Sequence, residues 1–170
     1  FAAAEARELA AEAAANLPLM PLSEHVAADY QTVRLSLKAH PMQFLRALFR
    51  SEGVATCAGI SAATNGSRGR VAGVVLVRQR PGKGTAIFMT LEDETGITNV
   101  LLWARKLEQF RSAVMGGRLL EVEGLVQKSP EGVVHLMAET VTDRTAELAR
   151  LSEDHRPELT LSRADEVARP

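Results

Sequence analysis

Cysteine, aromatic residues and long apolar runs are scarce in this 170-residue chain, and each shortage excludes a class of protein. The single cysteine, Cys57, cannot form an intrachain disulfide or a cysteine-based zinc site, so we expect a reducing, cytoplasmic environment. No stretch approaches the roughly 18 apolar residues that a membrane-spanning helix needs, so no membrane partner is expected. Lysine plus arginine (20) nearly balance aspartate plus glutamate (21), so net charge alone does not indicate a nucleic-acid partner.

Motifs for catalysis or metal binding are also missing from the sequence. It contains no Walker loop, no dinucleotide fingerprint and no serine or cysteine nucleophile motif. Glu92, Asp93 and Glu94 are consecutive, but successive side chains of an extended chain point to opposite sides, so they are not expected to converge on one ion. The four histidines lack the spacing of metal ligands. We predict no catalytic residue, metal ligand or cofactor within this chain.

Helical signals dominate the first part of the chain. Residues 2–15 are mostly alanine, the strongest helix former. Ser23 is a predicted N-cap for a second helix that extends to about Val33. Pro41 occupies the first position of a third helix, where its missing N–H costs nothing.

From Arg70 onward the apolar period changes from that of a helix to that of a strand. Five alternating segments are predicted, over residues 70–80, 85–91, 97–103, 118–128 and 133–141. A helical stripe over residues 106–115 separates the third segment from the fourth. Three strands, a helix and two strands is the order of the OB fold, a five-stranded Greek-key barrel. Gly73 and Gly124, inside the first and fourth strands, suit the sharp bends that a small barrel requires.

The alternation also predicts which side chains share a face. In the first strand, Val71, Val75 and Val77 are expected on one side. In the second strand, Ile87 and Met89 are expected opposite Phe88.

These elements predict an α+β architecture in four parts. Residues 1–52 form a helical segment, residues 53–69 a linker with at most one short helix, and residues 70–142 the OB-fold barrel. Residues 143–170 are expected to form a short helix and then a disordered tail. The first residue is phenylalanine rather than methionine, so we expect the chain to be part of a longer polypeptide.

A basic stretch surrounds the first barrel turn. No acidic residue occurs in residues 53–91, whose cations are Arg68, Arg70, Arg78, Arg80 and Lys83. OB folds bind oligonucleotides on strands two and three and through the turns that join strands one to two and four to five. Arg78, Arg80 and Lys83 are therefore predicted to contact a phosphate backbone, and Lys128 is expected at the same end of the barrel. The alternative is a solvated basic hairpin that keeps the chain soluble.

Flat side chains on which bases could stack are few. Phe88 is a candidate because it is expected to point outward, and Trp103 because it ends the third strand; Trp103 could instead pack against the helix that follows. Thr90 and Asn99, on the same two strands, complete the candidate nucleic-acid-binding set. Because stacking is limited, weak and strongly salt-dependent binding is expected.

Several segments together resemble the error-prone, ImuC-type branch of the family C DNA polymerases. Residues 71–82 resemble the family's first OB strand, and residues 88–96 strengthen the match. Further matching positions are Asn99, Val100, Trp103 and residues 35–41. The resemblance covers roughly residues 20–145, and the replicative alpha-subunit branch is similar to it.

This resemblance implies that the parent protein is a DNA-directed polymerase in damage-induced mutagenesis and translesion synthesis. The family works with accessory mutagenesis proteins of the ImuA and ImuB type and, through them, with a sliding clamp. Its chemistry uses palm-domain carboxylates that hold two magnesium ions, which are not in this stretch. Two roles remain open for the chain itself: weak binding of single-stranded DNA template, or docking of an accessory protein.

Overall fold

Five strands and five α-helices make up the part of the chain that the computed structural model describes, residues 19–33, 36–82 and 84–153. The strands are β1 (Arg68–Gln79), β2 (Ala86–Asp93), β3 (Gly96–Trp103), β4 (Leu119–Lys128) and β5 (Val134–Asp143). The helices are α1 (Leu22–Thr32), α2 (Pro41–Ser51), α3 (Cys57–Ala62), α4 (Leu107–Gly116) and α5 (Ala146–Glu153), with a 3-10 turn at Ala104–Lys106. The predicted helix over residues 2–15, the predicted disordered tail and Lys83 lie outside the described residues.

The strands close into a barrel in the order β1-β2-β3-β5-β4, and β4 is hydrogen-bonded back to β1. Neighbouring strands are antiparallel except β3 and β5, which run parallel. Three strands, a helix and two strands form the closed barrel of an OB fold, with helices before it. The predicted fold class is therefore confirmed.

The barrel interior is filled by alternate side chains of the strands, as a period of two requires. Its buried strand members are Val71, Ile87, Met89, Leu91, Val100, Leu102, Leu120, Val122, Val126, Leu136, Ala138 and Val141. Cys57 and Ile60 of α3 and Val114 of α4 belong to the same cluster. Because α3 lies within residues 53–69, part of the segment predicted as a linker packs against the barrel core.

A second apolar cluster lies on the outer surface of β1 and β4. There Ala72, Val74 and Leu119 contact helical side chains. The helical members are Ala27, Met42, Leu45, Phe49 and Leu151, from α1, α2 and α5. Among the described residues, none of the outward side chains of β2 and β3 belongs to either cluster. The helices therefore cover one side of the barrel and leave the β2–β3 side open.

Two glycines stand where a neighbouring strand leaves no room for a side chain. A Cβ on Gly124 of β4 would lie 2.1 Å from the carbonyl oxygen of Met137 in β5, and the strand register shifts beside Gly124. A Cβ on Gly73 of β1 would lie 2.7 Å from the carbonyl oxygen of Glu92 in β2. Both contacts involve backbone atoms, so a larger residue would force the strands apart.

The two predicted helix starts have different outcomes. The start at Pro41 is confirmed, and Nδ1 of His40 accepts a hydrogen bond of 3.1 Å from the Met42 N–H. The predicted N-cap at Ser23 is wrong, because α1 begins one residue earlier and Pro21 precedes it without a side-chain cap. No helix of residues 19–33, 36–82 and 84–153 has the length and hydropathy needed to cross a lipid bilayer.

Arg46 of α2 joins the helical segment to the turn between β2 and β3. Its guanidinium donates to Oδ2 of Asp93 at 2.8 Å and to Oε1 of Glu94 at 2.5 Å. The Asp93 side chain is fully buried, and its Oδ2 also accepts from the Cys57 N–H at 2.8 Å. Its Oδ1 accepts from the Thr95 N–H at 2.7 Å, a side-chain contact typical of aspartate in turns. A single carboxylate thus connects α2, α3 and the turn.

Replacing Asp93 with alanine should lower the free energy of unfolding by at least about 1–3 kcal/mol, because the buried Cys57 N–H would lose its acceptor and Arg46 would keep only Glu94. Urea denaturation monitored by circular dichroism measures this. Glu108→Ala is the control, since its ion pair with Arg111 is exposed and should contribute little. Equal urea concentrations at the unfolding midpoints of the two variants would contradict the role assigned to Asp93.

Candidate nucleic-acid interface

The outward side chains of β2 and β3 form a continuous surface, called here the β2–β3 face. Its cross-strand pairs are Ala86–Trp103, Phe88–Leu101, Thr90–Asn99 and Glu92–Ile97. Ile87 and Met89 point to the interior, so Phe88 lies on the predicted outer side of β2. The three pairs from Ala86 to Asn99 contain no charged side chain, and the surface is neutral along its centre.

Phe88 and Trp103 are adjacent on this face. Because Phe88 pairs with Leu101, Trp103 is its diagonal neighbour, about 7–8 Å away in regular sheet geometry. The Trp103 residue is 40% exposed, and Phe88 is half-buried. Trp103 therefore points outward, on the side of the sheet that carries Phe88. The structure brings the two candidate stacking residues together.

The other end of the face opens into a shallow cleft of about 350 Å³. Asn99 lines it together with Ser61 of α3 and Val133 of the turn between β4 and β5. The Thr90 hydroxyl donates to Oδ1 of Asn99 at 3.4 Å. Asn99 and Thr90 thus lie between the aromatic end and this cleft.

The predicted cations do not share one end of the barrel. Lys128 is at the cleft end, where its Nζ donates to the Ser61 carbonyl at 2.9 Å. Arg80 is in the turn before β2, at the same end of the barrel as Trp103, and its Nε donates to the Gly84 carbonyl at 3.1 Å. The expectation that Lys128 and Arg80 lie together is wrong because β4 runs antiparallel to β1, which places the end of β4 beside the beginning of β1.

Arg78 lies on the other side of the β1–β2 ribbon from Phe88. It pairs with Met89, whose side chain is inside the barrel. A bulge between Val75 and Val77 causes this, because one extra residue exchanges the two faces of a strand. Val77 consequently turns outward and is 47% exposed, so the prediction that it shares the face of Val75 is wrong.

Two further cations of the basic stretch are neutralised by carboxylates. Arg68 lies 2.7 Å from Oε2 of Glu139, and Arg70 lies 3.5 Å from Oε1 of Glu121. These partners come from β5 and β4, far away in sequence. Residues 53–91 therefore lack acidic residues of their own but do not form an isolated positive surface.

Arg105 is a cation that the sequence analysis missed. It lies two residues after Trp103, in the exposed 3-10 turn, and makes no hydrogen bond or ion pair with any residue that the structure describes. Its position two residues after the end of the third strand could have indicated a place near the candidate stacking residues. Together with Arg80, it places positive charge at the aromatic end of the β2–β3 face.

The three consecutive carboxylates point to different partners. Oε2 of Glu92 lies 3.7 Å from Nε2 of His40, whereas Asp93 and Glu94 bind Arg46. Burial lowers the pKa of His40, and Glu92 acts in the opposite direction. With Asp93 and Glu94 neutralised by an arginine, this cluster does not fit a magnesium ion.

Cys57 is the first residue of α3, and its thiol is fully buried in the apolar cluster of the barrel interior. Burial raises its pKa to about 12, so the thiolate that would act as a nucleophile is hardly populated at neutral pH. The structure thus gives Cys57 a packing role.

Residues 70–144 match the family model described as an OB-fold nucleic acid binding domain. An error-prone DNA polymerase of Rhodopseudomonas palustris (strain BisA53) is 65% identical over 156 residues, which is 91% of this chain and 14% of that protein. An error-prone DNA polymerase of Brucella abortus is 52% identical over 153 residues, 89% of this chain and 14% of that protein. The predicted resemblance is confirmed, and the chain spans about a seventh of the length of these curated relatives.

A solved structure to which this chain is similar is an asparaginyl-tRNA synthetase from Pyrococcus horikoshii. It is 26% identical with a TM-score of 0.46, and the match covers 52% of this chain and 22% of that one.

We expect Cys57 in the native protein to resist a thiol reagent such as Ellman's reagent at pH 8, because its raised pKa and burial suppress the thiolate. Absorbance should rise only after denaturant is added. A Cys57→Ser variant provides the background signal. Rapid labelling of the native protein would refute the buried position of α3.

Proposed function

We propose that this chain is the OB-fold portion of an error-prone DNA polymerase and that it binds single-stranded DNA on the β2–β3 face. The observation that carries the proposal is the adjacent pair of half-buried Phe88 and exposed Trp103, on a face whose outward side chains belong to neither apolar cluster of the described residues. OB folds bind oligonucleotides on these two strands. The match to a nucleic-acid-binding family model supports the same assignment.

The face suits single strands better than duplexes. Bases must be unstacked from their neighbours before they can lie on aromatic rings, and each such contact contributes about 1–3 kcal/mol. Phe88 and Trp103 offer two adjacent rings, while Thr90 and Asn99 offer hydrogen-bonding groups toward the cleft. Because the centre of the face is neutral, it has no positive track for a duplex backbone.

Positive charge lies at the two ends of the face, with Arg80 and Arg105 at the aromatic end and Lys128 at the cleft. A strand that crosses the face would place phosphates near both ends. Three phosphate contacts give a slope of about −2 for the logarithm of affinity against the logarithm of salt concentration, at roughly −0.7 per contact. Binding should therefore be weak and sensitive to salt.

The role of the parent protein is part of the proposal. The relatives' name and the motif resemblance support a DNA polymerase that acts in damage-induced mutagenesis and translesion synthesis in the cytoplasm. We assign accessory proteins of the ImuA and ImuB type and a sliding clamp as its partners, and magnesium-dependent chemistry to the rest of the polypeptide. The residues of this chain would bind and orient the template strand without touching the reacting atoms.

Phe88→Ala and Trp103→Ala should each weaken binding of a fluorescein-labelled oligothymidylate of about 12 nucleotides by roughly five- to a hundredfold, because each removes one stacking surface. Fluorescence anisotropy at low salt measures the dissociation constants. Leu125→Ala is the control, since Leu125 is an exposed apolar residue of β4, outside this face. Unchanged affinity in both aromatic variants would reject the β2–β3 face as the binding site.

The triple variant Arg80→Ala/Arg105→Ala/Lys128→Ala should flatten the salt dependence toward zero, because it removes the three proposed phosphate contacts. Anisotropy titrations across a series of salt concentrations provide the slope. An unaltered slope would show that other cations contact the phosphates.

A further inference from the structure

The end of β1 carries a strand edge without a partner. β1 pairs with β4 only from Arg68 to Val74, and the last backbone contact on that side is Val75 N–H to the Arg118 carbonyl at 2.9 Å. From there to Gln79, β1 pairs only with β2. No described strand therefore occupies the second edge over residues 76–79, and unpaired strand edges readily accept another extended chain.

A groove of about 500 Å³ runs alongside this edge. Its apolar lining includes Val75 and Leu76 of β1 and Leu148 of α5, and Tyr30 of α1 lies on the opposite side. The bulge in β1 turns Leu76 toward the groove, where it stays 50% exposed. An exposed apolar lining beside an unpaired strand edge offers both the main-chain and the side-chain contacts that a bound peptide strand uses.

Two arginines give this groove a positive character. Arg78 and Arg118 both line it, and neither side chain forms an ion pair with a described residue. Burial lowers the pKa of Arg78, although the nearby Asp143 opposes the shift. Oδ1 of Asp143 accepts hydrogen bonds from the N–H and the hydroxyl of Thr145 and forms none with Arg78.

Glu92 is the one acidic side chain among the described lining residues. Glu92 lies 3.7 Å from Nε2 of His40 and does not pair with either arginine. The groove thus has a partly apolar lining and two cations that form no ion pair with a described carboxylate. An arginine partly withdrawn from water in this way is stabilised when an anionic group joins it.

We propose that this groove binds an extended acidic segment of a partner protein, which adds a strand to β1 at Leu76–Gln79. Alternate apolar side chains of the segment contact Leu76 and Leu148, and its carboxylates meet Arg78 and Arg118. A peptide fits better than a nucleic acid because only a peptide backbone can supply the N–H and C=O ladder of the unpaired edge. The groove lies away from Phe88 and Trp103, so the inference stands independently of the proposed DNA site.

The test uses a labelled peptide of alternating glutamate and valine as the probe, with anisotropy for affinity and hydrogen exchange for location. The peptide should bind and slow exchange of the amides in residues 76–79 that are not bonded to β2. Methylation of alternate peptide nitrogens should abolish binding, because it removes the ladder donors. Equal binding of the methylated peptide would overturn strand addition.

Charge reversal tests the role of the arginines. Arg78→Glu/Arg118→Glu should weaken binding of the acidic peptide at least about tenfold. The same variant should bind a peptide of alternating lysine and valine more tightly than the acidic one. The control Arg50→Glu/Arg111→Glu makes the same change in net charge outside the groove and should leave affinity unaltered. Similar losses in both double variants would overturn the site.

Other occupants give distinct results. Protection of residues 76–79 in the free chain, at every protein concentration, would assign the edge to the chain's own segment. Protection that appears only at high concentration would assign it to a second copy. In a third outcome, an oligothymidylate displaces the peptide from the native chain but not from Arg78→Glu/Arg118→Glu. That result would assign the groove to nucleic acid. Each of these results overturns the partner-peptide proposal.

Discussion

Closure of the barrel by one long strand is the constraint on which the rest of the structure depends. β1 has 12 residues, and its first part pairs with β4 while its last part pairs with β2. Gly73 precedes Val74, the residue that pairs with both strands, and the Glu92 carbonyl leaves no room for a side chain on Gly73. The strand must therefore bend and shift register, and the bulge after Val75 provides that shift. The unpaired end of β1 is a direct consequence.

Two arginines link the helices to the barrel. Arg46 joins α2 to Asp93 at the β2–β3 turn, and Arg144 joins α2 and α5 to β4. Arg144 lies 2.7 Å from both Oε2 of Glu52 and Oε2 of Glu121, and its guanidinium sits 4.9 Å from the Phe49 ring centre. Its hydrogen bond to Glu52 raises the pKa of Arg144.

These contacts hold the helices on the β1–β4 side and leave the β2–β3 face available for a ligand. The two proposed surfaces therefore have one structural origin. The helices leave the aromatic pair uncovered on one side, and the overhang of β1 creates the groove beside α1 and α5. A single small barrel can thus offer separate sites to a nucleic acid and to a protein segment.

The sequence predicts the local features well because they depend on neighbouring residues. Alternation identified five strands and placed Phe88 opposite Ile87 and Met89, and the order of elements identified the fold. The bulge was not predictable, because it arises from pairing β1 with two different strands. It places Val77 and Arg78 on the opposite faces of the strand from those that regular alternation predicts.

Ion-pair partners that are distant in the sequence could not be predicted either. The carboxylates that neutralise Arg68 and Arg70 belong to β5 and β4, so the acid-free stretch appeared more basic than it is. The contact of Asp93 with Arg46 likewise joins residues 47 positions apart. Such contacts follow from the closed topology and not from local periodicity.

Titration of the ¹⁵N-labelled chain with oligothymidylate, followed by two-dimensional NMR, tests the central claim most directly. The account predicts that the largest amide shift changes fall on residues 86–92 and 97–105, with little change on residues 119–127 of β4. Changes confined to the groove beside α1 and α5, or to the outer surface of β1 and β4, would contradict the assignment of DNA binding to the β2–β3 face.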